Sequence, residues 1–319
     1  MSTFPTATQP RSLSGVWLPM ITPFLDGAVD LKSYQRLLHH YMDQGLAGLI
    51  PLGTTGEAPT LDDDEVEALV ELTTRVVGNH LRVYFGVGGN ATHKVIRTLR
   101  RLERYPFEGI LSVCPYYNRP NDEGIRRHFE RIADSTDRRI LIYNIPYRTG
   151  VNLSNDTVLA LSRLPNMVGI KDCCANLAQS VDLLRRRPSG FAVLTGEDAQ
   201  FYTTLGLGGD GGILASAHYQ PRSFAEVFER MAANDHRGAF AVWSSIETAV
   251  RVFFKEPNPM PIKHWLWRQG LIESPECRLP LTRVSERLGE EIEAMVSELA
   301  GTRVTRCRPE LVENRPAIS

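Results

Sequence analysis

Cysteine is scarce in this 319-residue chain, and the few present do not form a framework. Cys114, Cys173, Cys174, Cys277 and Cys307 are odd in number and scattered, so they read as reduced thiols of a cytoplasmic protein rather than as disulfide partners. The adjacent Cys173 and Cys174 are poorly spaced to chelate one ion. No His or Cys pair has zinc-ligand spacing with a second pair to match, and no metal is expected. An excess of one charge is lacking too: Lys plus Arg number 36 against 37 Asp plus Glu, a net −1. That balance argues against a polybasic membrane protein and against a general nucleic-acid binder. No apolar run approaches the roughly 18 to 20 residues that span a bilayer. The opening MSTFPTATQPRSLSG has no apolar core of a secretory signal and reads as a flexible lead-in over residues 1–12.

What is present is an alternation. Short β-branched, apolar runs recur at Val16–Thr22, Gly48–Leu52, Arg82–Val87, Gly109–Cys114, Ile140–Ile145, Met167–Lys171, Phe191–Thr195 and Gly211–Ala215. Between them lie stretches of helical spacing such as Leu31–Gln44, Asp62–Val77 and Asp122–Ala133. Near-continuous apolar strands alternating with helices predict a parallel sheet covered by helices. Eight such units predict a closed (β/α)8 TIM barrel over residues 13–233, with a doubly wound sheet as the alternative. From residue 234 to 300 the periodicity is helical only, predicting a C-terminal extension, and residues 301–319 lose it and read as a tail. Arg185, Arg186 and Arg187 end a helix before Pro188, which suits a solvated helix C-terminus better than a phosphate site.

In such a barrel the chemistry sits at the C-terminal strand ends. Those positions hold Gly53-Thr54-Thr55-Gly56-Glu57, Pro115-Tyr116-Tyr117-Asn118, Tyr143 to Gly150, and Lys171-Asp172. Lys171 ends an apolar strand, where an unpaired ammonium is costly. Either a carboxylate such as Asp172 pairs it, or desolvation lowers its pKa so that a neutral amine can attack a carbonyl. Tyr143, on the neighbouring strand, is either core with a bonded tip or a proton shuttle beside a reactive amine. The glycine-flanked Thr54-Thr55 loop is either a tight turn or a cradle of backbone donors, and it is no P-loop, because no Lys-Ser/Thr follows. Arg148 offers a fork for a carboxylate, or an ordinary surface ion pair.

Together these residues resemble the dihydrodipicolinate synthase/N-acetylneuraminate lyase family of class I aldolases. The resemblance rests on Gly15 to Phe24, Gly53 to Glu57, Pro115 to Pro120, Tyr143 to Gly150, Gly169 to Asp172, Gly208 to Ile213 and Glu256 to Lys263, in family order over about residues 13–299. It implies a Schiff-base lyase in which Lys171 condenses with pyruvate, needing no cofactor beyond that imine. It further implies a proton relay of Tyr143, Thr55 and Tyr117, with Tyr117 reaching into a neighbouring subunit's site. Gly53, Thr54, Thr55, Arg148 and Ile213 are implied in substrate binding, the Thr54 and Thr55 N–H groups on the pyruvate carboxylate. The assembly it implies is a homotetramer built from dimers.

Arg148 and Tyr116-Tyr117-Asn118 match the branch that takes L-aspartate-4-semialdehyde as its aldehyde, an entry to lysine biosynthesis. The alternatives are an aldolase or dehydratase acting on a 2-keto-3-deoxy sugar acid or N-acetylneuraminate, and a non-catalytic keto-acid-binding paralogue. Departures are the Cys173-Cys174 pair after the lysine, and Ala58, Pro59, Asp63, Val66 and Lys94 at the family's lysine-feedback site, where Asn90 and Tyr116 still match. Lys94 would repel a lysine ammonium, so weak or no inhibition by L-lysine is expected.

Overall fold

The computed structural model describes residues 13–295. Eight parallel strands close into a barrel in chain order: β1 (Gly15–Pro19), β2 (Gly48–Ile50), β3 (Arg82–Gly86), β4 (Gly109–Val113), β5 (Arg139–Asn144), β6 (Met167–Asp172), β7 (Ala192–Thr195) and β8 (Gly211–Ile213). β1 closes the ring by pairing with both β2 and β8. The helices that follow the strands are α1 (Leu31–Tyr41), α2 (Asp63–Val77), α3 (Thr92–Leu102), α4 (Asp122–Ala133), α5 (Asn155–Leu161), α6 (Leu177–Arg186), α7 (Phe201–Gly206) and α8 (Pro221–Ala232). Their starts are written locally: Asp30 caps α1, Asp62 and Glu65 form a capping box on α2, and Asn121 caps α4.

The strand period of two sorts side chains into two cores. Ile140 and Ile142 face the helices, whereas Leu141 and Tyr143 join Trp17, Ile50, Tyr84, Leu111, Leu194 and Ile213 inside the ring. The lower end is closed by Glu108, which accepts from Arg82 Nε and Arg139 Nη1 at 2.6 Å each, with the Arg82 guanidinium over the Trp17 ring. Apolar packing and this charge cluster fill the lower barrel, leaving the upper rim for chemistry.

Of the expected strands that stop early, two do so for visible reasons. β1 gives way before Thr22, whose hydroxyl donates to the Gly56 carbonyl at 2.7 Å, and β2 gives way before Leu52, which takes φ +62°. A small hairpin, Phe24–Leu25 with Ala28–Val29, turns on Asp26-Gly27, both at positive φ. That Asp-Gly pair is a hairpin signal the alternation had masked. Beyond α8 come α9 (His236–Phe253), α10 (Met260–Arg268) and helical residues 286–295. Residues 269–285 return across the barrel top. There Arg278 bonds Glu65 and the Thr60 and Gly27 carbonyls. The arginine run ends α6 in ion pairs: Arg185 and Arg186 with Asp182, Arg186 also with Asp156, and Arg187 with Asp210. The lead-in over 1–12, residues 296–300, the tail over 301–319 and Cys307 lie outside the described residues.

Candidate active site

At the upper rim a cavity of about 440 Å³ opens among the strand ends, with Gly53, Thr54, Tyr116, Tyr143, Arg148 and Asn258 in its wall. A larger, open depression of about 980 Å³ at the opposite end is walled by Glu103, residues 133–138 and residues 164–166. It contains none of the singled-out groups. Volume alone does not locate this site; the polar residues do.

Lys171 is directly opposite Tyr143 in the β5–β6 register, and the period of two turns both inward. Its Nζ stands 4.4 Å from the centroid of the Tyr143 ring, and the residue is only 7% exposed. The ammonium makes no ion pair or hydrogen bond among the described residues. Asp172 is engaged elsewhere, accepting from the Ser180 hydroxyl at 2.6 Å and the Cys174 N–H at 3.1 Å, so it is not the partner of Lys171. Burial pushes the Lys171 pKa below the ordinary lysine value. Cys173, Asp198 and Glu197 oppose that shift and Arg148 adds to it. Burial also raises the Tyr143 phenol well above its usual pKa, so it stays protonated, and a hydrogen bond with the Thr54 side chain works the other way.

The loop after β2 is pinned by its own turns: Gly56 N–H bonds Gly53 O, Glu57 N–H bonds Thr54 O, and Ala58 N–H bonds Gly53 O. The N–H groups of Thr54 and Thr55 have no partner among the described residues, an arrangement suited to an anion. Gly86 lets this loop cross the end of β3, since a Cβ there would collide with the Leu52 carbonyl. Of the expected relay of Tyr143, Thr55 and Tyr117, Tyr143 alone stands in the wall of this cavity. Of the two threonines, the Thr54 side chain is the one that bears on the Tyr143 phenol, while the Thr55 hydroxyl accepts from Asn258 Nδ2 at 2.8 Å. Tyr117, at φ +72°, is 89% exposed and does not enter its own chain's cavity. Ile213 is wholly buried in the inner core and is not among the wall residues of the cavity. Arg148 sits on the turn Pro146–Thr149 with its guanidinium 5.8 Å over the Tyr147 ring, and no carboxylate pairs it among the described residues. A fork left without an anion at a cavity wall is suited to one from outside.

Residues not foreseen complete the surroundings. A Cβ at Gly196 would strike both Cys173 Sγ and Lys171 Cε, so β7 presses its end against the amine. Next along, Asp198 is buried and accepts from Ser216 N–H and Oγ at 2.6 Å each; burial pushes its carboxyl up to about 6. Glu197 precedes it at the same strand end, where burial raises its pKa against the opposing influence of the Lys171 ammonium. The thiols of Cys173 and Cys174 diverge: the first is buried by the lysine, the second lies 3.4 Å from both Asp172 Oδ2 and Ser180 Oγ. The signal for Glu197 and Asp198 was available, since they follow the seventh strand as Lys171 ends the sixth. Asn258 falls in the Glu256–Lys263 segment of the resemblance, but its remoteness in sequence hid its place beside the loop after β2. Among the described residues no group of three His, Cys, Asp or Glu is placed to hold a metal ion, and no helix is long and apolar enough to cross a membrane.

The pattern of the dihydrodipicolinate synthetase family matches residues 12–299. A 4-hydroxy-tetrahydrodipicolinate synthase 2 of Clostridium acetobutylicum is 50% identical over 280 residues, covering 88% of this chain and 98% of the relative. The crystal structure of a dihydrodipicolinate synthase from Aquifex aeolicus superposes with a TM-score of 0.87 at 33% identity, over 90% of this chain and 98% of that one. A chloride-inhibited dihydrodipicolinate synthase from Acinetobacter baumannii, complexed with pyruvate, gives 0.87 at 33% identity, over 91% and 99%.

Proposed function

The chain belongs to the dihydrodipicolinate synthetase family, and we propose from that premise that it condenses pyruvate with L-aspartate-4-semialdehyde through an imine on Lys171. The observation that carries this reading is a desolvated, unpaired amine beside a protonated phenol at the strand ends. The neutral amine adds to the ketone carbon of pyruvate, and the hydroxyl so formed leaves as water on taking a proton from the Tyr143 phenol, giving a protonated imine. That iminium accepts the electrons of a methyl C–H bond, and the enamine so formed bonds to the aldehyde carbon. The methyl proton returns to the Tyr143 phenolate and passes on to the aldehyde oxygen as the carbon–carbon bond forms; hydrolysis of the product iminium then frees Lys171 and restores the Tyr143 phenol. The free N–H groups of Thr54 and Thr55 take the pyruvate carboxylate, and Arg148 takes the carboxylate of the aldehyde. The iminium is the electron sink, so the steps as written call for no metal. Tyr117 of a second copy would extend the relay, which fits a homotetramer built from dimers, and reduced thiols fit the cytoplasm.

Steady-state rates with this aldehyde, set against retro-cleavage of 2-keto-3-deoxy sugar acids, test the substrate. The semialdehyde should give the higher kcat/KM, and Arg148→Ala should raise its KM roughly 30-fold or more with the KM for pyruvate little changed. A higher kcat/KM for a sugar acid, or an indifferent Arg148→Ala, would reject the assignment.

A further inference from the structure

The C-terminal extension holds the Gly53–Glu57 loop at two points. Asn258, just ahead of α10, donates from Nδ2 to Thr55 Oγ1 at 2.8 Å. On α10, Lys263 forms an ion pair with Glu57 and donates to the Glu276 carbonyl at 2.8 Å, while the Arg278 N–H donates to Glu57 Oε2 at 3.0 Å. Between these anchors lie the two unpartnered N–H groups of Thr54 and Thr55. Asn258 is itself buried, and its Oδ1 has no partner among the described residues. A buried amide with an unmatched oxygen burdens a fold, and an aliphatic side chain would fill the same space without that burden. The amide therefore has its use in its donor, which fixes Thr55.

We propose that Asn258 is a positioning residue for the carboxylate of the keto acid. Through Thr55 Oγ1 it holds the Thr54–Thr55 peptide in one rotation, so that both free N–H groups stay turned to the cavity in whose wall Thr54 and Asn258 both stand. Donors fixed in advance need no reordering when the anion arrives. The inference rests on the reading of pyruvate as first substrate. It adds that a residue some 200 positions downstream, |i−j| = 203, sets recognition of that substrate.

The test compares two ketones that differ by the carboxylate. Borohydride trapping on Lys171 is timed with pyruvate and with acetone in the wild type, Asn258→Ala, Thr55→Val and the double variant. Asn258→Ala should slow trapping by pyruvate roughly 10- to 100-fold, the scale of a lost hydrogen bond to a charged group. Trapping by acetone should stay within about twofold, since no carboxylate is involved. Thr55→Val keeps its N–H but loses the acceptor, so it should show the same selective loss. The double variant should lose no more than either single change. Equal loss with both ketones, unchanged trapping by pyruvate, or multiplying losses in the double variant would overturn the proposal while leaving the imine chemistry in place. No adduct in the wild type would instead remove the reading on which it rests.

Discussion

Lys171 shows how a residue acquires chemistry from its surroundings. The side chain is an ordinary lysine; desolvation at the strand end and the absence of an ion-pair partner among the described residues make the neutral amine accessible at lower pH. The sign can be worked out for its neighbours. Asp198 favours the ammonium, so Asp198→Asn should move the midpoint of the pH–rate profile for pyruvate trapping to lower pH. Arg148 disfavours it, so Arg148→Met should move the midpoint up. The wild-type Asp198 carboxyl titrates at about 6, so its difference from Asp198→Asn should fade below that pH. Shifts in one common direction would show that these charges do not act on the amine. Lys171, Tyr143 and Arg148 were legible because strand ends are positions a sequence pattern can find. Which threonine hydroxyl bears on Tyr143 was not, because the two are adjacent in one turn and the partner of Thr55, Asn258, is remote in sequence.

Among the elements, the alternation of apolar runs and amphipathic stretches wrote the barrel and most strand limits. Limits set by loop geometry, such as the positive φ of Leu52, were not in the pattern. Least legible was the return segment after α10, whose role lies in long-range polar contacts with the loop after β2. Beneath it α10 adds the Lys263–Glu57 pair, with Lys263 wholly buried and its ammonium 4.1 Å from the Phe24 ring. Lys263→Met should leave the Glu57 charge buried and unpaired, at about 3–5 kcal/mol by urea denaturation. Glu57→Gln added to Lys263→Met should restore a large part of that loss. A single variant costing less than about 1 kcal/mol would mean that the pair behaves like a surface one.

For the whole molecule, a TIM barrel supplies the rim and the extension roofs it, with Pro280 and Leu281 in the cavity wall. The exposed Tyr117 is what one chain leaves outside its own site, and it gives the proposed assembly a chemical reason. Among the described residues two lysines are buried, and reaction is assigned to one: Lys263 is held by Glu57, whereas no described carboxylate pairs with Lys171. Reduction of the full-length protein with borohydride in the presence of pyruvate, followed by peptide mass mapping, tests that choice most directly. The account predicts one reduced pyruvyl group per chain, on Lys171, absent from Lys263 and lost in Lys171→Ala. A modification on Lys263, one that persists in Lys171→Ala, or none at all would contradict it.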